Sequence, residues 1–261
     1  MKILHQIGGN WTESQTKIFK ELEIQVDTGV NSIVVEENNL YYKIKPLVHK
    51  WGFSDIRYPE FTKKELKESL LSAKSNSHIH GYPMPDLNFE YLSLTYDLTN
   101  YCEICGIGKK QKDAFRLKNV PKEGKKRFFG INWVFDEYFV ELDLYNEIFK
   151  PLNIKYREIL QYKNEKPFDT HVQLILPETS EELDLKDYPT ESCSKCGRVK
   201  YQPMPQGFYP RYKSIIAPLF KSKDYFGTGS EARKRVFLTK ELRDKLISLK
   251  IERDSWYIPT K

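Results

Sequence analysis

Two short motifs of the pattern Cys-x-x-Cys-Gly contain all 4 cysteines of this 261-residue chain. A Cys-x-x-Cys turn places two thiolates on one side of the backbone, and the glycine after it can take the positive φ that directs N–H groups toward sulfur. Two such turns supply the four thiolates of a tetrahedral zinc site, so the sequence predicts one structural Zn²⁺ ion. The residues are Cys102, Cys105 and Gly106 in the first knuckle and Cys193, Cys196 and Gly197 in the second.

The spacing between the knuckles leaves alternatives open. Residues 106–192 separate them, whereas the halves of a typical four-cysteine site lie roughly 15–20 residues apart. Two disulfides or two redox-active pairs would also use four cysteines. The chain turns polar soon after Met1, which argues against a secretory signal, and a cytoplasmic location would keep thiols reduced. A catalytic zinc is disfavoured because four thiolates leave no open coordination position.

Positive charge is concentrated directly after the first knuckle. The chain has a net charge of +6, and residues 106–130 contain nine basic and two acidic residues, so the rest of the chain is close to neutral. This segment could bind the phosphates of a nucleic acid, bind an acidic protein, or simply be solvated. The candidate binding patch comprises Lys109, Lys110, Lys112, Arg116, Lys118, Lys125, Lys126 and Arg127.

Acidic residues cluster shortly after the basic segment, at Asp136, Glu137, Glu141 and Asp143. Paired carboxylates can perform acid–base chemistry, but no nucleophile or histidine lies close to them in sequence. We interpret them as a helix cap and a polar rim. They could also face a basic partner, as could the acidic run Glu178 to Asp187.

The elements that must position these residues are typical of an α+β protein, with mixed strands and short helices. Hydrophobic residues make up 39% of the chain and aromatic residues 14%, which is typical of a folded protein. No apolar run is long enough to span a bilayer. We divide the chain into an N-terminal α+β region, 1–86, and a zinc-ribbon-like domain, 87–261. The second contains a long folded insert, 106–192, and a C-terminal strand–helix–strand tail.

Local patterns in the first half of the chain predict four elements. Alternating β-branched and aromatic residues in Asn31–Lys45 predict a hairpin. A capping box at Thr62 and Glu65 predicts a helix that continues to Ala73. Tyr91–Leu98 is expected to be the strand that leads into the first knuckle, and Phe128–Phe135 reads as a strand of the insert.

Five further elements are predicted along the rest of the chain. In the insert, Asp143–Phe149 is expected to be a short helix, followed by strands at Ile154–Leu160 and His171–Leu176. In the tail, a strand at Arg235–Leu238 is expected to lead into a helix capped by Thr239.

The order of these features resembles a known family. Two Cys-x-x-Cys-Gly knuckles flank a long folded insert, and Phe226–Ser230, a Phe-Gly-x-Gly-Ser turn, precedes a strand, an amphipathic helix and a terminal segment with Trp256. Over Tyr91–Pro259 the chain is similar to the double-CXXCG-motif proteins, a bacterial group that includes immunity proteins of polymorphic toxin systems. Only the six knuckle residues can be carried over from that family, and the long segment ahead of the first knuckle departs from it.

The resemblance implies a function. It predicts a cytoplasmic immunity protein, not an enzyme, that binds and neutralises a cognate toxin protein without catalysis and has no membrane partner. The alternative is a nucleic-acid-binding zinc-ribbon protein that uses Lys109 to Arg127 on phosphates. An enzyme whose active site the sequence does not reveal is the third hypothesis.

Overall fold

The computed structural model of this protein describes residues 1–203 and 206–261. They form two compact units. The first unit contains residues 1–65 and the described part of the segment 204–208, and the second contains 66–203 and 209–261. The first unit thus ends at residue 65 rather than at 86, because residues 71–74 form a strand in a sheet of the second unit.

The first unit is a three-stranded antiparallel sheet with two helices. Its elements are β1 (Lys2–Trp11), α1 (Glu13–Glu21), β2 (Gly29–Glu36), α2 (Asn39–Lys50) and β3 (Ser54–Glu60). Strand β1 lies in the centre and pairs with both β2 and β3. The core includes Ile7, Trp11 and Phe19, together with residues of α2.

The hairpin predicted over Asn31–Lys45 is wrong in its second half, which belongs to helix α2. The side chain of Asn38 caps this helix by accepting hydrogen bonds from the backbone N–H groups of Leu40 and Tyr41. Ile44 and Val48, one helical turn apart, are buried on the same face. The helical spacing of the apolar residues outweighs their β propensity.

The second unit contains two six-stranded sheets and one two-stranded sheet. Its helices are α3 (Lys63–Glu68), which crosses the unit boundary, α4 (Tyr91–Thr95), α5 (Leu142–Leu144) and α6 (Lys240–Ser248). Helix α5 continues into a π-helical turn (Tyr145–Phe149). Two 3₁₀ turns lie at Leu87–Phe89 and Asp254–Trp256. The strands are β4 (Leu71–Lys74), β5 (His78–Ile79), β6 (Tyr96–Asp97), β7 (Lys110–Gln111), β8 (Arg116–Leu117), β9 (Phe128–Ile131), β10 (Val134–Glu141), β11 (Lys155–Gln161), β12 (Pro167–Ile175), β13 (Thr190–Ser192), β14 (Val199–Tyr201), β15 (Leu219–Phe226), β16 (Arg233–Thr239) and β17 (Tyr257–Pro259). This mixture confirms the predicted α+β class.

The insert between the knuckles builds most of one sheet, with the order β5-β9-β10-β12-β11-β8. The second large sheet has the order β13-β14-β15-β16-β4-β17, so it joins the second knuckle, the tail and β4. Side chains from both sheets share one buried cluster, in which Val140 and Leu174 of the insert lie with Val236 and Leu246 of the tail. The insert is therefore a folded part of the unit, as predicted.

Two helix and strand predictions between Thr62 and Leu98 are partly corrected by the structure. The capping box at Thr62 is confirmed, since its Oγ1 accepts from the Glu65 N–H at 3.2 Å and the Glu65 carboxylate accepts from the Thr62 N–H at 2.8 Å. The helix ends at Glu68, however, because Leu71–Lys74 pairs with β16 and β17. The strand predicted over Tyr91–Leu98 is mostly the helix α4, followed by the two-residue β6.

The other predicted elements are close to the observed ones. The strand expected at Phe128–Phe135 is a hairpin, in which Ile131 pairs with Val134 around a two-residue turn. The helical segment ending at Phe149 and the strands β11, β12 and β16 lie where the sequence predicts them. Helix α6 follows Thr239 as expected.

Candidate metal centre

Each knuckle connects the two strands of a short antiparallel hairpin. The first lies between β6 and β7, in which Tyr96 pairs with Gln111. The second lies between β13 and β14, in which Ser192 pairs with Val199. Each hairpin holds both cysteines of a knuckle on the same loop, so two hairpins can present four thiols to one point.

The two knuckles have the same backbone hydrogen bonds. The Gly106 N–H donates to the Cys102 carbonyl at 2.7 Å, and the Gly197 N–H donates to the Cys193 carbonyl at 2.9 Å. Both glycines have a positive φ, 78° and 71°, as the sequence predicts. This conformation is costly for residues with a side chain, which explains the glycine after each second cysteine.

The four thiols converge on one point. Their Sγ atoms all lie within 4.8 Å of one another, and the Sγ–Sγ distance is 3.7 Å for both Cys102–Cys193 and Cys105–Cys196. A disulfide needs about 2.05 Å, so these cysteines are free and the disulfide alternative is contradicted. Zn–S bonds of about 2.3 Å in a tetrahedron place sulfurs about 3.8 Å apart. The arrangement therefore fits a tetrahedral four-thiolate metal site.

The protein surroundings affect the four thiols unequally. A hydrogen bond from the backbone N–H of Cys105 lowers the pKa of Cys102 to about 6, and the N–H of Cys196 lowers the pKa of Cys193 in the same way. Burial raises the pKa of Cys105 to about 12. Because a metal binds thiolates, loading this site must release protons from the thiols that are still protonated.

Three cations surround the cluster. Lys200, only 1% exposed, donates from Nζ to the carbonyl oxygens of Cys105 at 3.2 Å and Glu231 at 3.0 Å. Arg198 donates to the Ile107 carbonyl at 2.9 Å, and Lys195 is a third cation at the second knuckle. Four thiolates and one divalent ion carry a net charge of −2, which Lys200 and Arg198 are suited to offset, whereas Lys195 is itself paired with Glu103.

Sequence reasoning missed Lys200. The sequence contains no signal for it, since a lysine on a short strand is ordinarily exposed. Its three carbonyl partners lie on the first knuckle and on the loop before β16, both distant in sequence.

The two arginines of the basic segment do not form an exposed binding patch. Arg116 is only 7% exposed and pairs with Glu165 at 2.7 Å and with Asp113 at 3.2 Å. Arg127 pairs with Glu141 at 2.5 Å. Both guanidinium groups are held by carboxylates of the protein itself, so we assign them a structural role.

The lysines of the segment are mostly exposed but differ in their contacts. Lys109 is half-buried, with its Nζ 5.2 Å from the centre of the Tyr96 ring. Lys118 pairs with Asp86 at 3.4 Å, and Lys126 donates to the Ile79 carbonyl at 2.7 Å. The exposed lysines of the candidate patch are Lys110, Lys112, Lys118, Lys125 and Lys126.

The acidic cluster predicted after the basic segment is not a polar rim. Glu137 is buried and forms an ion pair with Lys221, and Glu141 is buried beside Arg127. Burial raises the pKa of Glu137 above its ordinary value. Asp136 is half-buried, and only Asp143 is fully exposed. Asp136, Glu137 and Glu141 lie on strand β10 and Asp143 follows it, and the Lys221 ammonium acts on both Asp136 and Glu137.

Comparisons with family models, with curated proteins and with solved structures found no match to this chain. Within the described residues, the helices are all too short or too polar to cross a membrane.

Proposed function

We propose that this protein is a zinc-stabilised immunity protein, which binds and neutralises a cognate bacterial toxin in the cytoplasm without catalysis. The observation that carries the proposal is the convergence of four thiols from two identical knuckles. A complete set of four thiolates leaves no coordination position for water or substrate. A Zn²⁺ ion held by Cys102, Cys105, Cys193 and Cys196 would therefore stabilise the fold.

The resemblance to the double-CXXCG-motif proteins supports this proposal through the same residues. A neutralising protein needs a rigid surface that meets its partner rapidly and dissociates slowly. The metal centre would supply rigidity by joining two hairpins. The exposed lysines near the first knuckle, such as Lys110 and Lys112, would steer an acidic surface of the toxin at low ionic strength.

Co-expression with the toxin encoded beside its gene tests the function. We expect cells to survive only that toxin and protection to follow the ratio of the two proteins, because binding consumes one protein per toxin. Cys193→Ser should abolish protection by unfolding the metal centre, whereas the neighbouring Ser194→Ala should leave it unchanged.

Two outcomes would contradict the proposal. Protection by substoichiometric amounts would indicate turnover. Complete loss of protection on replacing a single Asp, Glu or His, in a variant that remains folded and still binds the toxin, would indicate a general base.

A further inference from the structure

A cleft of about 480 Å³ lies beside the first knuckle, within the second unit. Its lining includes the knuckle at Gly106, the loop Ser230–Ala232, and Trp133 of the turn between β9 and β10. Its volume lies in the range of binding sites for small groups, about 300–1,000 Å³. The residues that line the cleft indicate which kind of chemical group it can bind.

Aromatic residues form part of the lining of the cleft. Phe89 is 50% and Phe135 39% exposed, and Trp133 is partly exposed. The Trp133 ring contacts Phe89 and Tyr82, with centroid distances of 4.6 and 4.7 Å. Exposed rings held by one another present flat apolar faces at low entropic cost, as at the hot spots of protein interfaces.

The backbone under these rings is strained. Asn88, Phe89 and Trp133 have φ values of 48°, 59° and 66°, in the left-handed region that favours glycine. Trp133 has this conformation in a two-residue hairpin turn, where glycine would be unstrained. Residues retained in such conformations cluster at functional sites. The irregular part of β10, between Val134 and Phe139, adjoins the same cleft, and such bulges are frequent beside binding sites.

Asp136 also lines the cleft. Its Oδ2 accepts the backbone N–H of Lys234 at 3.0 Å, and no cation of the described residues lies within ion-pair distance of it. Burial opposes its ionisation, but the ammonium groups of Lys221 and Lys109 hold the pKa of Asp136 below its ordinary value. Lys109 lines the same cleft but forms no ion pair with Asp136 within the described residues, so the cleft contains a charged acceptor without a directly paired cation.

The other two carboxylates of the cleft are already paired. Glu103 binds Lys195 at 2.8 Å, and Glu231 binds Arg233 at 2.9 Å. The guanidinium carbon of Arg233 lies 5.0 Å from the centre of the Phe135 ring. The protein thus already binds one arginine here, between an aromatic face and a carboxylate.

A second planar cation has the chemistry that the remaining groups require. A guanidinium group stacks on aromatic faces and donates two parallel hydrogen bonds to a carboxylate, which an ammonium group cannot do. We propose that this cleft binds an arginine side chain of the partner protein, stacked on Trp133 and Phe135 and paired with Asp136. The inference rests on the proposed function in taking the partner to be a protein.

Titration of the whole protein with N-acetyl-arginine amide tests the cleft directly. Binding should shift the indole N–H resonance of Trp133 in a saturable manner. The neutral isostere N-acetyl-citrulline amide should bind at least about tenfold more weakly, because the charge-assisted hydrogen bonds are lost. Asp136→Asn, which keeps an acceptor for the Lys234 N–H, should weaken arginine binding to the same extent, whereas Asp143→Asn should not.

Several results would overturn the proposal. Equal binding of the citrulline derivative, or unchanged arginine binding in a folded Asp136→Asn variant, would show that no ion pair forms. If guanosine monophosphate binds more tightly than the arginine derivative, the aromatic rings of the cleft stack on a nucleic-acid base instead. If the Asp136→Asn variant does not fold, the test uses Trp133→Gly instead, because glycine suits the positive φ of that turn. That variant should lose about tenfold in arginine binding, followed on the Ala232 amide, and unchanged binding would overturn the proposal.

The inference and the proposed function can fail separately. If the protein protects cells from its toxin and folded Asp136→Asn protects equally well, the cleft is not the binding site while the immunity function stands. If the protein protects against no toxin but the arginine derivative binds as described, the cleft stands while the immunity function fails.

Discussion

At the scale of single residues, the two knuckles are identical in motif and backbone but differ in what surrounds them. A Cβ added to Gly106 would lie 2.2 Å from the Ser230 carbonyl oxygen, whereas one added to Gly197 would meet nothing within 4 Å. The loop that Gly106 touches is also bound by Lys200. The first knuckle is therefore packed into the unit, and the second is open on its outer side.

This difference predicts unequal effects of the same substitution. Gly197→Ala should cost about 1–2 kcal/mol of unfolding free energy, the strain of a positive φ in a residue with a Cβ. Gly106→Ala should cost that strain and at least about 2 kcal/mol more, because backbone atoms must move. Urea unfolding of the metal-loaded variants measures both values. Equal losses of unfolding free energy in the two variants would show that the loop Ser230–Ala232 moves without an energetic cost.

Residue types and spacing alone were sufficient to predict the thiol cluster and the conformation of its glycines. They could not show that Arg116 is buried or that Lys200 lies beside Cys105. The reason is physical: these charges are satisfied by partners far away in sequence, Glu165 for Arg116 and the loop at Glu231 for Lys200. A charge pattern read along the chain indicates exposure only when such partners are absent.

At the scale of elements, the sequence was most informative where an element depends on its own residues. Helix α6 and strands β11, β12 and β16 lie where local patterns predict them. Strand β4 could not be foreseen, because it forms between β16 and β17, which follow it by more than a hundred residues. Its four residues are all buried and continue a helix pattern from α3. Sheet pairing outweighs that local preference.

Strand β4 also carries a buried ion pair that joins it to the C-terminal segment. The side chains of Lys74 and Glu252 are both 0% exposed and bind each other, and the Tyr257 hydroxyl donates to Glu252 at 3.0 Å. The Lys74 ammonium also lies within 5.6 Å of four ring centres. The four rings and the Glu252 carboxylate together compensate the Lys74 ammonium for its lost hydration.

Removing one partner of this pair should be costly. Lys74→Met should lower the unfolding free energy by about 3–5 kcal/mol, because Glu252 remains buried without a counter-charge. Adding Glu252→Gln should restore at least half of the loss, as the amide keeps an acceptor for Tyr257. Lys186→Met, which breaks an exposed pair with Asp184, should change stability by less than about 1 kcal/mol. Denaturant unfolding of the four proteins tests this, and a small effect of Lys74→Met would refute the role of the pair.

At the scale of the whole molecule, the metal centre closes the long loop formed by residues 106–192. Loop-closure entropy grows slowly with length, so closing this loop costs only about 1–1.5 kcal/mol more than closing one of typical spacing. The insert also shares a buried cluster with the tail, so the loop is ordered by packing as well as by the ligands. The first unit has a separate core, built around Ile7 and Trp11.

Metal removal should therefore affect the two units differently. We expect purified protein to contain one zinc ion per chain, since four ligands form one site. A zinc chelator should increase hydrogen exchange at the knuckle loops and in strands β14 to β16, because the ligands then lose the free energy of metal binding. Exchange in strands β1 to β3 should stay unchanged, since their core contains no ligand. Cys193→Ser should reproduce the pattern without chelator, and Ser192→Ala should not. Native protein without zinc, with four freely titratable thiols, would refute the metal centre.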